Sequence, residues 1–182
     1  MDSRVTLPMA NGGLPAQGGP QVLGCPGDID AALIRKAEDG DAQAFGQLAA
    51  HYDLVILRFL LALTESEDAA SELCRRSFVR AYREMRHRPA LSMHNWLYRI
   101  AVQEWLAAAG RGHSTDSARG AGDAVASPQA RLNARETLVL TLKIRQRLAL
   151  HTVAEILQIS HDVAGQTFTR AIYKLRFTRP RH

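Results

Sequence analysis

Residues 45–59 read FGQLAAHYDLVILRF, and their apolar side chains recur at steps of three and four positions. That period places them on one face of an α-helix. The same steps continue through residues 70–85 and 96–105, and no segment shows the alternation typical of a strand. The chain is therefore predicted to be all-α, and its first folded part to be a compact helical bundle. The recurring positions are Phe45, Leu48, Ala49, Tyr52, Val55, Ile56, Phe59, Ala70, Leu73, Phe78, Ala81, Met85, Trp96, Leu97, Ile100, Ala101 and Trp105.

Short polar side chains mark where these helices begin, because they accept hydrogen bonds from the free N–H groups of a first helical turn. Asp28 or Asp30 is predicted to cap the first helix, Asp41 the second and Ser92 the fourth. Glu67 or Asp68 is predicted to lie in the first turn of the third helix, and Pro89 to follow its end.

Composition divides the chain into four parts. Residues 1–27 hold six of the 13 glycines and four of the seven prolines, which predicts a flexible leader. Residues 28–110 form the helical bundle, 111–127 a Gly-, Ser- and Ala-rich tether, and 128–182 a second helical domain. In that domain Ser127 and Pro128 are predicted to start a helix that runs to about Thr141 or beyond. Two shorter helices are predicted at 148–158 and 161–177, the second capped by Ser160.

Charge is distributed unevenly along the 182 residues. The total is 23 basic against 18 acidic side chains, a net charge of +5, and 20 of the basic residues are arginine. Residues 28–73 carry ten acids and three bases (−7), residues 74–110 seven bases and two acids (+5), and residues 111–182 twelve bases and five acids (+7). The basic later segments favour anionic partners.

Several classes of protein are excluded by what the sequence lacks. Cys25 and Cys74 lie far apart, and no Cys or His cluster has metal-ligand spacing. The most apolar run, residues 54–63, contains Arg58 and is shorter than the ~20 residues of a membrane span. No nucleophile–base pair or phosphate-binding glycine loop is evident. We expect a cytoplasmic protein that is not an enzyme, needs no cofactor or metal and does not insert into a membrane.

Three features could bind nucleic acid, and each has a purely structural alternative. Arg76, Arg80 and Arg83 share one face of the third helix, as a solvated surface or as a track for phosphates. Residues 92–95 form a polar loop at a helix N-terminus, which suits exposed bases or is only a connection. Residues 152–176 read as helix, turn, helix, a pattern that binds the DNA major groove in some proteins and nothing in others. Its candidate groove contacts are Gln166, Thr167, Thr169, Arg170 and Lys174.

Together these segments resemble bacterial RNA polymerase sigma factors of the extracytoplasmic-function type. AEDGDAQAFGQLAAHYD from Ala37, EDAASELCRRSFVRAY and NWLYRIAVQEWL are similar to region two of that family in order and spacing. LKIRQRLAL and TVAEILQISHDVAGQTFTRAIYKLR are similar, more loosely, to its region four.

The resemblance implies a subunit that binds core RNA polymerase, opens promoter DNA at the minus-ten element and reads the minus-thirty-five element with the helix-turn-helix. An anti-sigma factor is a further expected partner. The polymerase-binding positions would be Glu72, Leu73, Arg75, Arg76 and Phe78. DNA contacts would come from Arg80, Arg83, Ser92, Met93, His94, Asn95, Trp96 and Arg99, and from Gln166, Thr167, Thr169, Arg170 and Lys174.

The chain also departs from the family pattern. Arg75 and Arg76 stand where the family usually has Gln and Glu, which reverses the sign of a polymerase contact. LKIRQRLAL lacks the usual helix-breaking proline, so the first helix of the DNA reader is predicted to be fused or shortened, unless residues 133–145 take its place. A sigma-like protein that binds polymerase or an anti-sigma factor without initiating transcription is therefore the alternative function.

Overall fold

A computed structural model describes residues 31–112 and 132–176 of the chain. These residues form seven α-helices, and no strand occurs within the two ranges, so the all-α prediction is confirmed. The predicted caps Asp28, Asp30 and Ser127, the leader and most of the tether lie outside the described residues. The helices are α1 (Ala31–Glu38), α2 (Ala42–Thr64), α3 (Glu67–Glu84), α4 (Met93–Gly112), α5 (Ala134–Leu140), α6 (Leu150–Leu157) and α7 (His161–Arg176).

Three of the predicted helix starts are confirmed by the hydrogen bonds of their caps. The Oδ1 of Asp41 accepts from the N–H of Gln43 at 2.8 Å, the Oγ of Ser92 from that of Asn95 at 3.2 Å, and the Oγ of Ser160 from that of Val163 at 3.3 Å. Glu67 and Asp68 lie in the first turn of α3, as predicted, although Ser66 is the residue that caps it.

The prediction of one continuous helix from Pro128 to about Thr141 is wrong. Asn133 has extended backbone angles, and its Oδ1 accepts from the N–H of Glu136 at 2.8 Å while the Glu136 carboxylate accepts from the N–H of Asn133 at 2.9 Å. This reciprocal capping box starts a new helix at Ala134. The signal was present in the sequence as an Asn three positions before a Glu.

Helix α5 continues into a π-helical turn, Thr141–Arg145, and the chain then leaves the helix without a proline. Arg147 adopts the left-handed conformation, with φ of 54°, which ends the helical path. The first helix of the predicted DNA reader, α6, is consequently separate and only eight residues long.

Helix α2 is the centre of the N-terminal bundle formed by α1–α4. By length and composition α2 is apolar enough to cross a membrane, a test that the core helix of a globular bundle also passes. Here one face of α2 is buried against α1, α3 and α4. The fully enclosed side chains on that face are Leu48, Ile56, Phe59 and Leu60.

The C-terminal helices, α5–α7, pack directly on the N-terminal bundle. Helix α6 lies against α4, and the π-helical turn lies against α2. Leu142, Val153 and Ile156 are each at most 1% exposed and belong to the same apolar core as α2 and α4. The two described parts of the chain therefore share one core.

Candidate nucleic-acid interface

Arg88 holds the segment between α3 and α4 against the bundle. Its Nε and Nη2 donate to Oε1 of Glu38 at 3.0 and 2.8 Å, and its Nη1 donates to the carbonyl oxygen of Leu91. Glu38 is the last residue of α1, so this ion pair ties the segment to the end of α1. Ser92, which follows, is exposed. The N-terminus of α4 is thus presented at the surface in a defined position.

Two side chains predicted to contact DNA at this point are buried. Met93 is 4% exposed and Trp96 is 2% exposed, because the first turn of α4 packs into the core of the bundle. In this structure the side chains of Met93 and Trp96 are enclosed by protein, and their contact with DNA stays a prediction. The Trp96 side chain packs in the hydrophobic core beneath the first turn of α4.

His94 occupies a half-buried position between two tyrosines. Its ring packs edge-on against Tyr98, with the ring centroids 4.7 Å apart, and lies 6.3 Å from the ring of Tyr52. Its Nε2 is buried and has no hydrogen-bond partner in the described residues. Burial lowers the pKa of His94, and a hydrogen bond with Asn95 only partly opposes this. His94 is thus held as a neutral ring rather than a cation for phosphate.

The next polar residues of α4 contact α6. The Nδ2 of Asn95 donates to Oε2 of Glu155 at 2.8 Å, and the Nη2 of Arg99 donates to the carbonyl oxygen of Glu155 at 2.7 Å. Beneath them the hydroxyl of the buried Tyr98 donates to Oε1 of Gln146 at 2.8 Å. Asn95 and Arg99, both predicted to bind DNA, are therefore engaged by the C-terminal helices.

The predicted arginine stripe of α3 is largely neutralised inside the bundle. The carboxylate of Glu104, in α4, forms ion pairs with Nη2 of Arg76 at 2.8 Å and with Nη1 of Arg80 at 3.4 Å. Arg80 also forms an ion pair with Glu84, at 2.7 Å. Arg83 is exposed, and no ion pair to it occurs within residues 31–112 and 132–176. Of the three arginines, Arg76 and Arg80 share their charge with Glu104, and Arg83 has no ion pair among the described residues; binding of phosphates along this face stays a prediction.

The predicted polymerase-binding positions divide between surface and core. Glu72 and Arg75 are exposed and form a bidentate pair at 2.8 and 3.0 Å, which lowers the pKa of Glu72. Leu73 is 5% exposed and Phe78 packs partly buried against the core, because they lie on the inner side of α3. The Leu73 side chain is therefore enclosed in this structure, and its contact with polymerase stays a prediction.

Helix α7 presents a polar face to the surface. Gln166, Thr169 and Arg170 are exposed, and Thr167 is half-buried. Ala164 and Ala171 are buried on the opposite face, which is the inner side of this second helix.

Lys174 has a structural role that the sequence pattern did not predict. Its Nζ lies 2.7 Å from Oε2 of Glu136, which is 1% exposed, and Nε of Arg170 lies 3.9 Å from Oε1 of the same carboxylate. Burial raises the pKa of Glu136, but the hydrogen bonds from Lys174 and Asn133 outweigh it and lower the pKa below its usual value. Glu136 thus fixes α7 on α5, and Lys174 is directed inward.

Three residues of these surfaces were not singled out from the sequence. Tyr173, 61% exposed, lies on the face of α7 that carries Gln166 and Arg170, and the i+3 and i+7 spacings could have revealed it. Glu104 and Glu155 make contacts between helices distant in sequence, and no local spacing signals such pairs.

Two further observations limit the chemistry of the described residues. Within residues 31–112 and 132–176, no group of three His, Cys, Asp or Glu side chains could hold a metal ion. Cys74 is buried, with its Sγ 3.6 Å from Oδ1 of Asp53, and burial with that neighbouring carboxylate raises its pKa to about 12. A thiol in this setting is unreactive at neutral pH.

Comparison with known proteins relates part of the chain to bacterial transcription factors. No protein-family model matches it. Over 86 residues it is 33% identical to the ECF RNA polymerase sigma-E factor of Haemophilus influenzae, a match that covers 45% of each chain. Over 74 residues it is 31% identical to the RNA polymerase sigma-H factor of Pseudomonas aeruginosa, covering 40% of this chain and 38% of that one. The matches thus span less than half the length of these relatives.

Solved structures share the fold over a larger part of the chain. CnrH, in complex with the cytosolic domain of CnrY, has a TM-score of 0.65 at 22% identity, covering 82% of this chain and 96% of that one. The sigma factor RpoE of Bartonella quintana, in complex with the anti-sigma factor NepR, has a TM-score of 0.60 at 15% identity, with coverages of 74% and 96%. Over less than half of its length the chain is thus similar in sequence to bacterial sigma factors, among them one of the ECF type, and its helical fold is similar to that of CnrH and RpoE.

Proposed function

We propose that the chain is a sigma factor that directs core RNA polymerase to a small set of promoters. The observation that carries the proposal is the sequence match to sigma factors, which falls on a chain with the corresponding all-helical fold. In this role the protein binds polymerase and promoter DNA in the cytoplasm, and polymerase catalyses RNA synthesis. Its contribution is the choice of site and the separation of strands.

Helix α7 is proposed to read duplex DNA at the minus-thirty-five element. Gln166, Thr169 and Arg170 are exposed on one helix, the second of a helix-turn-helix. Arg pairs with the O6 and N7 acceptors of guanine, and Gln with the N7 and N6 groups of adenine, in the major groove. Buried Ala164 and Ala171 allow α7 to pack closely on its neighbours while this face points outward.

The N-terminus of α4 is proposed to read the opened minus-ten strand. Ser92 is exposed, and Asn95 and Arg99 follow on the same side of the helix at steps of three and four. Hydroxyl, amide and guanidinium groups pair with base edges and phosphates of a single strand. The exposed Arg83 on neighbouring α3 adds a cation for the backbone.

Glu72 and Arg75 of α3 are proposed to contribute to polymerase binding, since both are exposed. An anti-sigma factor is proposed as a second protein partner, because the structurally similar RpoE was solved in complex with one. The alternative function, polymerase binding without initiation, predicts the same complexes but no transcripts.

Transcription in vitro tests the proposal. Purified core polymerase of the source bacterium, with and without the protein, is supplied with sheared genomic DNA, and the 5′ ends of the transcripts are sequenced. We expect new start sites that share two upstream sequence elements. Core binding without new start sites would favour the alternative, and neither binding nor start sites would refute both.

A matched pair of variants tests the role of α7. Arg170→Ala removes a predicted base contact, whereas Arg145→Ala removes an exposed arginine outside α7 with the same change in charge. Loss of one bidentate base contact costs about 1–3 kcal/mol, so Arg170→Ala is expected to reduce transcript yield roughly tenfold. Equal effects of the two variants would argue against reading by α7.

A further inference from the structure

We propose that a cleft between α4, α5 and α6 binds a small organic anion, a carboxylate on an aliphatic body. The volume of the cleft is about 340 Å³, and sites for small molecules typically measure about 300–1,000 Å³. One face of α4, the first part of α5 and the C-terminal end of α6 form its walls. Its size therefore suits a small ligand rather than a helix of another protein.

Aliphatic side chains from three helices form most of the lining. Val102 and Leu106 lie one turn apart on the same face of α4, while Leu138 and Ile156 come from α5 and α6. Val102, Leu138 and Ile156 are at most 4% exposed and make the floor, whereas Leu106 is 42% exposed and lies at the rim. No aromatic side chain of the described residues lines the cleft. The lining thus favours a flexible aliphatic chain over an aromatic ring.

The charge of the cleft is positive and is not offset by an acid. Arg99 and Arg135 both line it, and no Asp or Glu of the described residues does. Neither arginine forms an ion pair within residues 31–112 and 132–176. The Nη2 of Arg99 donates to the carbonyl oxygen of Glu155, and its buried Nε has no hydrogen-bond partner among the described residues. Two cations above an apolar floor select an anion with an apolar body.

Helix α5 sets the orientation of the ligand. Arg135 is exposed near the start of α5, and Leu138, almost one turn later on the same face, is 2% exposed. A guanidinium pairs with a planar carboxylate through two parallel hydrogen bonds. The carboxylate is therefore assigned to Arg135 at the rim, and the aliphatic chain runs inward over Leu138 toward Val102 and Ile156.

An occupied cleft would place an anion next to a residue of the proposed DNA-binding surface. Arg99 lines the cleft and is also assigned to the opened promoter strand. A bound carboxylate would compete with the phosphates of that strand for the field of this guanidinium. The binding site itself does not rest on the proposed function. Its tests need neither polymerase nor DNA, so the two proposals succeed or fail separately.

Calorimetric titration of the full chain with decanoate, kept below its micelle-forming concentration, tests the site. We expect one decanoate to bind per chain. Decanamide has the same aliphatic chain without the charge, and acetate has the charge without the chain. Each should bind about tenfold more weakly than decanoate, or less tightly still. No binding of decanoate, or equal binding of decanoate and decanamide, would overturn the proposal.

Two matched pairs of variants test the assigned residues. Arg135→Gln removes the cation of the cleft, whereas Arg145→Gln makes the same change in charge at an exposed arginine outside it. Leu106→Gln makes the apolar rim polar, whereas Leu61→Gln alters a leucine of α2 with nearly the same exposure, 40%. Arg135→Gln and Leu106→Gln should each weaken decanoate binding about tenfold, and the controls about twofold or less.

All four positions are exposed, so the helical content measured by circular dichroism should be retained. Equal effects within the arginine pair would mean general attraction by a basic protein and would overturn the assignment to Arg135. Equal effects within the leucine pair would overturn the assignment of the aliphatic chain to this cleft.

Photolabelling locates the bound ligand directly. A decanoate analogue with a diazirine at the end of its chain is irradiated with the full protein, and the labelled residues are identified by mass spectrometry. The label should fall on the floor of the cleft, at Val102, Leu138 or Ile156, and excess decanoate should prevent it. Labelling confined to other parts of the chain would overturn the proposed site.

Discussion

Glu104 neutralises two arginines of α3 that sequence spacing assigns to a phosphate track. Its carboxylate lies 2.8 Å from Arg76 and 3.4 Å from Arg80 and is nearly buried between α3 and α4. Helical spacing correctly placed the arginines on one face. It could not reveal the acid, because the pair depends on how two helices cross.

The ion pairs of Glu104 are expected to stabilise the bundle. Glu104→Gln removes the counter-charge of Arg76 at a largely buried site and leaves Arg80 with Glu84 alone, and it should lower the free energy of unfolding by about 1–2 kcal/mol. Urea denaturation measures the change. Glu72→Gln, at the exposed pair with Arg75, is the control and should leave the midpoint unchanged. Equal midpoints for the two variants would contradict a structural role of Glu104.

His94 makes stability depend on pH. Its pKa in the folded protein is lower than the 6.5 of an unperturbed histidine, so the unfolded chain binds the extra proton first as pH falls. The free energy of unfolding should therefore be highest above pH 6.5 and should decrease as pH drops from 6.5 toward the folded pKa. Denaturation at pH 7.5, 6.5 and 5.5 measures the slope. His94→Phe should flatten it, whereas His87→Gln, at an exposed site, should not.

At the scale of helices, boundaries were predictable where a side chain acts on its own turn. Asp41, Ser92 and Ser160 cap the helices that sequence analysis assigned to them. The end of α5 was not predictable, since Arg147 rather than a proline or glycine takes the left-handed conformation there. Such a conformation is uncommon in a residue with a Cβ, so local composition does not predict it.

Glycines in the helices offer a test of this local reasoning. A Cβ added at Gly165 of α7 would meet only Leu150 Cδ2, at an ordinary 3.6 Å. Gly165→Ala should therefore stabilise the protein by about 0.5–1 kcal/mol, since alanine is the better helix former. Thermal denaturation followed by circular dichroism measures the effect.

Gly40 should respond in the opposite direction. It joins α1 to α2 with φ of +97°, and the Arg86 guanidinium occupies the space where a Cβ would stand. Gly40→Ala should thus lower the melting temperature in the same assay. A lower melting temperature for Gly165→Ala, or an unchanged one for Gly40→Ala, would contradict the packing described here.

For the molecule as a whole, composition predicted two helical domains and a tether but not their contact. Charge separates an acidic early segment from a basic C-terminal one, but the contact between the two parts is built on apolar residues of α4, α5 and α6. In the sequence, the same apolar side chains are equally consistent with the inner face of a separate domain. Only the folded structure shows that the two parts share one core.

A shared core predicts coupled unfolding. Both tryptophans, Trp96 and Trp105, lie in α4, so their fluorescence reports on the N-terminal bundle. Ile156→Ala in α6 should cost about 2–4 kcal/mol and shift the fluorescence and circular-dichroism midpoints together. Val163→Ala, at a partly exposed site, should shift neither by much. A fluorescence midpoint unchanged by Ile156→Ala would mean that the two parts unfold independently.

The π-helical turn makes the number of residues between α5 and α6 significant. The N–H of Gln146 bonds to the carbonyl oxygen of Thr141 at 3.0 Å, so the turn holds one residue more than an α-helical turn. Loss of one residue there would rewind the backbone and rotate Gln146 by about 100°, away from the Tyr98 hydroxyl. We therefore expect an insertion or deletion in this stretch to disrupt the contact with Tyr98, even at positions where a substitution would not. Surface loops, in contrast, commonly accept changes in length.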